Sequence, residues 1–169
     1  MDIIELLTTR RSIRKYTGKE ISGDIVNKLL EAAMFAPSAG NQQPWHFLVV
    51  RDKAVFQKIT EFHPYSKMLL EASLAILVCA DVSNETHKGY WPLDCSAATE
   101  NILIAAHGLG LGAVWLGIYP RQDRQEGMRN LFQLPDSIFP FSLISVGYPA
   151  EQKTKPERYS PERIHLEKW

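Results

Sequence analysis

The sequence has little cysteine and no long apolar run. Its two cysteines, Cys79 and Cys95, lack CxxC spacing, and Cys79 lies inside the apolar run LAILVCAD. We therefore interpret both as buried thiols without a redox or metal role. No apolar run approaches the ~20 residues that a membrane-spanning helix needs, so we expect no membrane partner. The N-terminal stretch MDIIELLTTRR carries acids where a signal peptide carries bases, which predicts a cytoplasmic location.

The sequence also lacks an excess of either charge. Nineteen lysines and arginines balance nineteen aspartates and glutamates, so long-range attraction to polyanions should be weak. The basic residues 10–15 are a local cluster without a wider basic stripe, and we therefore expect no nucleic-acid partner. A nucleic-acid or partner-binding module built on this cluster is an alternative, and it predicts a colourless protein that binds polyanions in a salt-sensitive way.

Three common chemical motifs are missing. The five histidines show no HExxH or comparable ligand spacing, so we expect no metal site; they are His46, His63, His87, His107 and His165. There is no G-x-S-x-G nucleophile elbow and no serine with a recognisable base. The stretch GLGLGA fits G-x-G-x-x-A, but a helical pattern precedes it and a strand pattern follows, the reverse of a dinucleotide-binding turn. We interpret these glycines as the end of a helix.

The hydrophobic pattern predicts one mixed domain spanning residues 1–169, a length that a single core can serve. Helical spacing predicts helices over residues 2–9, 22–36, 54–62, 93–109 and 121–131. Apolar runs predict buried strands over residues 46–50, 74–81, 112–119 and 141–149. The tail from residue 150 is polar and rich in proline, so another part of the protein must anchor it.

Two stretches are candidates for binding a ligand. In RRSIRKY, an extended backbone would place Arg10, Ser12 and Arg14 on one side and Arg11 and Ile13 on the other. Two guanidinium groups and a hydroxyl suit a phosphate, although a solvated helix end fits the same spacing. The second stretch, PSAGNQQPWHF, is a polar, turn-rich loop between a helix and a strand, which suits either a binding loop or a simple turn.

Together these motifs resemble a known family. RRSIRKY, APSAGNQQPWHFLVV, KMLLEAS, GLGLGAVWLGIYP and SVGYP occur in the order typical of the nitroreductase family of FMN-dependent oxidoreductases, from residue 8 to about residue 165. The resemblance implies an α+β fold with a central, mostly antiparallel sheet wrapped by helices. It also implies an intertwined homodimer with two FMN sites at the interface, in which C-terminal segments reach around the partner subunit.

The resemblance further implies roles for individual residues. The FMN phosphate and ribityl chain would be held by Arg10, Arg11 and Ser12, and a C-terminal base would close over the phosphate, either Arg158 or Lys155. The other subunit would line the ring and ribityl chain with Pro37, Ser38, Ala39 and Asn41. The N1 and O2 edge of the ring would face Arg14 and Lys67. The strand end whose backbone amide donates to flavin N5 would be Leu116 and Gly117.

The chemistry implied by the resemblance is hydride transfer from NAD(P)H through FMN to nitroaromatic, quinone or similar small acceptors, by a ping-pong mechanism. Arg14, Lys67 and Gly117 would act at the ring, the two cations by stabilising negative charge that builds on reduction. The alternative is a flavin-binding or flavin-consuming protein on the same scaffold, for which FMN is cargo or substrate. The sequence leaves open the physiological acceptor and the choice between NADH and NADPH. At Pro64 it departs from family members that carry asparagine there.

Overall fold

A computed structural model describes residues 2–169 as five helices and four strands. The helices are α1 (Ile3–Thr9), α2 (Gly23–Met34), α3 (Lys53–Phe62), α4 (Trp91–Gly108) and α5 (Gln122–Phe132). The strands are β1 (Trp45–Val50), β2 (Leu74–Asp81), β3 (Gly112–Gly117) and β4 (Ile138–Gly147). Single 3₁₀ turns occur at Ala39–Asn41, Lys67–Leu70 and Pro161–Arg163. Every predicted helix and strand is confirmed, and within residues 2–169 no helix combines the length and apolar character needed to cross a membrane.

The element ends follow from local chemistry. Asp2 and Asp52 cap α1 and α3 by accepting backbone N–H bonds at 2.8 Å each, as short acidic side chains do at helix starts. Strand β4 begins three residues earlier than predicted because it incorporates Pro140. The register between β2 and β4 shifts beside that proline, between Val78 and Cys79, and such an irregularity is where a sheet tolerates a residue without N–H.

The four strands form one sheet in the order β1-β2-β4-β3, with every neighbouring pair antiparallel. An additional parallel bridge joins Ser12 to Ala113 on the outer side of β3. The mostly antiparallel sheet expected from the resemblance is therefore confirmed. Since β3 is the edge strand, the segment that precedes α2 lies along the edge of the sheet.

The core lies on both faces of the sheet. In β2, Leu74, Ile76 and Val78 pack towards α2 and α4, whereas the intervening Leu77 and Cys79 pack towards α3 and α5. Both faces are covered, which is why this strand reads as a continuous apolar run instead of an alternating one. Cys79 and Cys95 are free, buried thiols, as predicted.

Helix α1 is amphipathic, but the chain itself covers little of its apolar face. Ile3 is 72% exposed and Leu7 is 46% exposed, while Leu6 packs against Gly108 at the end of α4. Phe35, just after α2, is 81% exposed. Large apolar side chains left exposed on one helix face, as Ile3 and Leu7 are, are typical of surfaces that contact another protein.

Candidate functional site

The basic segment, residues 10–16, is extended and fastened to the edge of the sheet. The Ile13 amide donates to the Ala113 carbonyl at 3.0 Å. The Tyr16 hydroxyl donates to the carbonyls of Ile13 at 2.8 Å and Ser145 at 3.2 Å, and Ile13 and Tyr16 are both buried. The interpretation of this segment as a solvated helix end is wrong, because α1 ends at Thr9 and the cations follow on a strand-like path.

A stretch of the tail runs beside the basic segment and is named here the C-terminal strap, residues 148–158. Four hydrogen bonds join the two segments: Ala150 N to Lys15 O (2.8 Å), Arg14 N to Glu151 Oε1 (2.6 Å), Lys153 Nζ to Ser12 O (2.7 Å) and Arg11 Nε to Thr154 O (3.0 Å). Within the chain, the basic segment is thus the anchor that the tail requires. The basic segment and the strap, which are far apart in the sequence, therefore form one hydrogen-bonded unit.

A cavity of about 720 Å³ opens where the end of the strap meets Arg11. Its lining consists of Leu7, Thr8, Arg11, Lys155, Pro156, Glu157, Arg158 and Tyr159. Desolvation lowers the pKa of Arg11, and the nearby charges of Arg158 and Arg10 lower it further. Cations that repel one another in this way are relieved by a bound anion, so the cavity can hold a phosphate through charge-assisted bonds.

Arg10 points elsewhere. Its Nε lies 3.4 Å from Glu100 Oε1 on α4, so a carboxylate already compensates its charge. Extended spacing put Arg11 on the side opposite Arg10, yet Arg11 is the cation that lines the cavity with Lys155 and Arg158. The reason is that Arg10 is the cap residue of α1, and strand alternation begins only after it.

The end of β3 presents a free backbone edge at Gly117. Ile118 N donates to Phe141 O at 3.3 Å in the register that pairs Gly117 with Ser142. Ladder bonds in an antiparallel pair use every second residue, so the N–H and C=O of Gly117 point away from β4, towards the outer edge. The Gly117 carbonyl accepts from His63 Nε2 at 3.2 Å and from Arg124 Nη1 at 2.7 Å. No such partner is described for its N–H.

Arg14 and Lys67 lie on neighbouring segments. Met68, which follows Lys67, packs against the cluster that contains Ile13, the residue before Arg14. Both residues are exposed, and among residues 2–169 neither side chain has a carboxylate within ion-pair distance. The structure thus leaves the side chains of Arg14, in the basic segment, and Lys67, beside it, without an ion-pair partner among the described residues.

The loop over residues 37–41 is held at the start of α4. Asp94, 3% exposed, accepts from Ala39 N at 2.9 Å and from Gln42 Nε2 at 2.7 Å. Ser38 Oγ accepts from Gln43 N at 3.0 Å, and Asn41 has a left-handed φ of 55°. Within the described part of the chain, no hydrogen bond joins this loop to residues 10–14, so the chain alone does not bring Pro37, Ser38, Ala39 and Asn41 to the basic segment.

Several residues that shape the site carried no signal in the sequence reasoning. These residues are Tyr16, His63, Asp94, Arg124, Glu151 and Lys153. Tyr16 stands inside the basic motif, and its position beside the cations was the one available clue. The other five act on residues remote in sequence or through buried backbone groups, which a local pattern does not reveal.

The sequence is similar to those of other proteins along its length. The profile of the nitroreductase family matches residues 7–63 and 63–148. A protein of Methanothermobacter thermautotrophicus, provisionally named NADH dehydrogenase/NAD(P)H nitroreductase, is 53% identical over all of this chain and 88% of its own length.

Solved structures agree with the sequence match. A protein of Parabacteroides distasonis with the same provisional name has a TM-score of 0.94 at 40% identity, covering 98% of each chain. A provisionally named nitroreductase from Desulfovibrio desulfuricans, solved in complex with FMN, has a TM-score of 0.86 at 30% identity, covering 100% of this chain and 98% of its own. The expected fold is therefore confirmed, and this chain belongs to the nitroreductase family.

Proposed function

We propose that this protein is an FMN-dependent oxidoreductase that uses NAD(P)H to reduce nitroaromatic, quinone or similar small acceptors. Family membership and the FMN complex of the Desulfovibrio desulfuricans relative support the cofactor. The observation that carries the proposal is the convergence of Arg11, Lys155 and Arg158 on one cavity, because among residues 2–169 none of these three cations has a carboxylate within ion-pair distance. A cytoplasmic location stays a prediction.

The residues of the site fit both ends of an FMN molecule, the phosphate and the flavin ring. The cations of the cavity match a phosphate, with Ser12 beside them at the edge of the sheet. At Gly117, a Cβ would have Arg124 Nη1, 3.9 Å away, as its one described neighbour within 4 Å beyond the adjacent residues. The chain itself does not need glycine there, so the missing side chain leaves room for a flat ring. When bound, FMN supplies the chemistry of accepting and returning a hydride.

The protein's own residues then position FMN and polarise its ring. Arg11, with Arg158 or Lys155, holds the phosphate, and the outward Gly117 N–H offers a donor to ring atom N5. Arg14 and Lys67 place positive charge at the N1 and O2 edge. Because neither side chain forms an ion pair with a carboxylate among residues 2–169, both are available to stabilise negative charge that builds at that edge.

We also propose a homodimer in which the partner supplies the loop over residues 37–41. Held by Asp94, this loop projects its backbone and the side chains of Pro37, Ser38, Ala39 and Asn41 for use by a second chain. The exposed apolar face of α1, with Ile3 and Leu7, and the exposed Phe35 at the end of α2 support an extensive interface.

The cofactor is tested directly by the purified protein. We expect a yellow protein with about one FMN per chain that binds riboflavin far more weakly, because the phosphate supplies most of the charged contacts. Absorbance after denaturation measures the flavin content, and titration measures the two affinities. A colourless protein, or equal affinity for FMN and riboflavin, would contradict the proposal. FMN that binds without any oxidation of NAD(P)H would favour the flavin-carrier alternative.

Steady-state kinetics test the mechanism. If nicotinamide and acceptor use the same open face of the ring, they cannot be bound together, and turnover is expected to be ping-pong with mutual competition at high concentration. Initial rates over a grid of NAD(P)H and quinone concentrations should give parallel double-reciprocal lines. Converging lines would show that both substrates bind at once and would exclude a shared face.

A further inference from the structure

We propose that His63 is a positioning residue that, together with Arg124, turns the end of β3 into a pure hydrogen-bond donor towards the bound flavin. The inference rests on the proposed function, since it concerns the group that meets Gly117. It adds a role for two residues that touch neither the phosphate cavity nor the predicted ring cations.

The argument starts from what Gly117 exposes. At the outer edge of β3 its N–H and C=O point the same way, so an uncapped glycine would offer one donor and one acceptor. The carbonyl, however, already accepts from His63 at 3.2 Å and Arg124 at 2.7 Å. A carbonyl oxygen has two lone pairs, and both are now occupied. The donor alone remains available.

The state of His63 follows from its surroundings. The side chain is buried, with 1% of the residue exposed, and its Nδ1 accepts from the Tyr65 amide at 3.3 Å. The proton must then sit on Nε2, facing Gly117. Burial lowers the pKa of His63, the Arg124 guanidinium lowers it further, and the Gly117 contact and the more distant Asp123 charge oppose this. A neutral ring with one fixed tautomer is the result.

The local backbone makes His63 rigid. Its amide donates to Ile59 O at 2.9 Å, which caps α3, and its carbonyl accepts from Ser66 Oγ at 2.7 Å. Every hydrogen-bonding group of the residue is thus engaged. A side chain held in this way can orient a glycine peptide, which otherwise has more rotational freedom than any other residue.

Arg124 gives independent evidence that the Gly117 carbonyl is a favoured target. Its Nε is buried without a partner among the described residues, although a buried donor left unpaired is costly. The guanidinium lies over the Tyr65 ring, 5.6 Å from its centroid, and directs Nη1 to Gly117. The contact with the carbonyl is therefore kept while another donor of the same group goes unsatisfied.

A donor-only edge discriminates between the two redox forms of the flavin. N5 of oxidised flavin carries a lone pair and accepts a hydrogen bond, whereas N5 of reduced flavin carries a hydrogen and donates one. The Gly117 N–H matches the oxidised form, and the capped carbonyl cannot accept from the reduced form. The two caps therefore weaken the binding of reduced FMN relative to oxidised FMN, which makes the reduced form a better hydride donor.

The test compares His63→Phe, which keeps a ring but removes the donor, with His63→Gln, whose Nε2 can still reach the carbonyl. Arg124 and its charge are unchanged in both. The measurement is the ratio of affinities for reduced and oxidised FMN, obtained from the midpoint potentials of bound and free flavin. We expect the ratio to rise roughly five- to tenfold in His63→Phe and to stay within about twofold of wild type in His63→Gln.

Two failures are distinguishable. A wild-type protein that binds no FMN overturns the proposed function and this inference with it, whereas FMN that binds normally with an unchanged ratio in His63→Phe overturns the inference alone. If His63→Phe does not fold, the ¹³C shift of the Gly117 carbonyl in the wild-type holoprotein decides. This chemical shift should indicate the same hydrogen bond from His63 with oxidised and with reduced flavin. A change that shows loss of the His63 bond on reduction overturns the inference.

Discussion

Replacing Arg11 by methionine is expected to weaken FMN binding on the order of a hundredfold, while riboflavin binding changes less than about threefold. Arg11 lines the cavity with Lys155 and Arg158, where we propose that the FMN phosphate binds, and a forked guanidinium bond to phosphate is among the stronger polar contacts in proteins. Riboflavin lacks the phosphate, so it does not experience the loss. Calorimetric titration of flavin-free protein with each flavin measures both affinities.

Lys15→Met is the matched control for this experiment. It removes one positive charge from the same basic segment, but Lys15 is exposed and lies outside the cavity lining. An equal loss of FMN affinity in both variants would show that only the overall charge matters. Because Arg11 also donates to the carbonyls of Thr8 and Thr154, thermal unfolding must show that the variant keeps its fold, and an equal fall in riboflavin affinity would contradict a phosphate role.

Removal of residues 150–169 is expected to lower the flavin content below about a tenth of wild type and to weaken the dimer. The deletion takes away Lys155 and Arg158 from the cavity. It also removes the contacts of Glu151 and Lys153 that hold the backbone of the basic segment. In the proposed dimer, the partner chain and the flavin both bind only the folded site, so loss of either destabilises the other. Flavin absorbance and sedimentation velocity give the two readouts.

A shorter deletion, of residues 164–169, is the control for the first. The described contacts of these residues are with one another and with Pro161, through the His165–Trp169 ring stack and two backbone bonds. The strap and the cavity cations remain in place, so the flavin content should stay near that of the full chain. A fully loaded, active monomer after the longer deletion would show that the strap is not part of the site and that the site is not shared.

The secondary structure could be predicted because its causes are local. The apolar run of β2 and the helical spacing of α2 depend on residues close in the chain, so the sequence places them within a few residues. Strand β4 begins three residues earlier than predicted, and only its pairing with β2, whose register shifts opposite Val78 and Cys79, shows how Pro140 is accommodated. The identity of the family followed from five ordered motifs, and the fold followed from the family.

The candidate site was predictable as a set of residue types but not as an arrangement. The cations of the basic segment and the strap were identified from the motifs, and their roles towards FMN stay predictions. The sequence did not predict that these cations have different partners. Arg10 pairs with Glu100, whereas Arg11 joins Arg158 at the cavity. These different partners depend on α1 ending at Thr9 with Arg10 as its cap, a one-residue boundary that spacing alone does not resolve.

By itself, then, the sequence determined which segments are helices and strands, which of them are buried, and which ordered motifs, among them a cluster of cations near the N-terminus, identify the family. The tertiary structure decided which backbone groups remain free: the pairing of Ile13 with Ala113, the bond from Arg14 to Glu151, and the double cap on the Gly117 carbonyl. The physical reason is that hydrophobic periodicity is read over neighbouring residues. Hydrogen-bond satisfaction, in contrast, is settled between groups that lie up to 143 positions apart and meet only after the chain has folded.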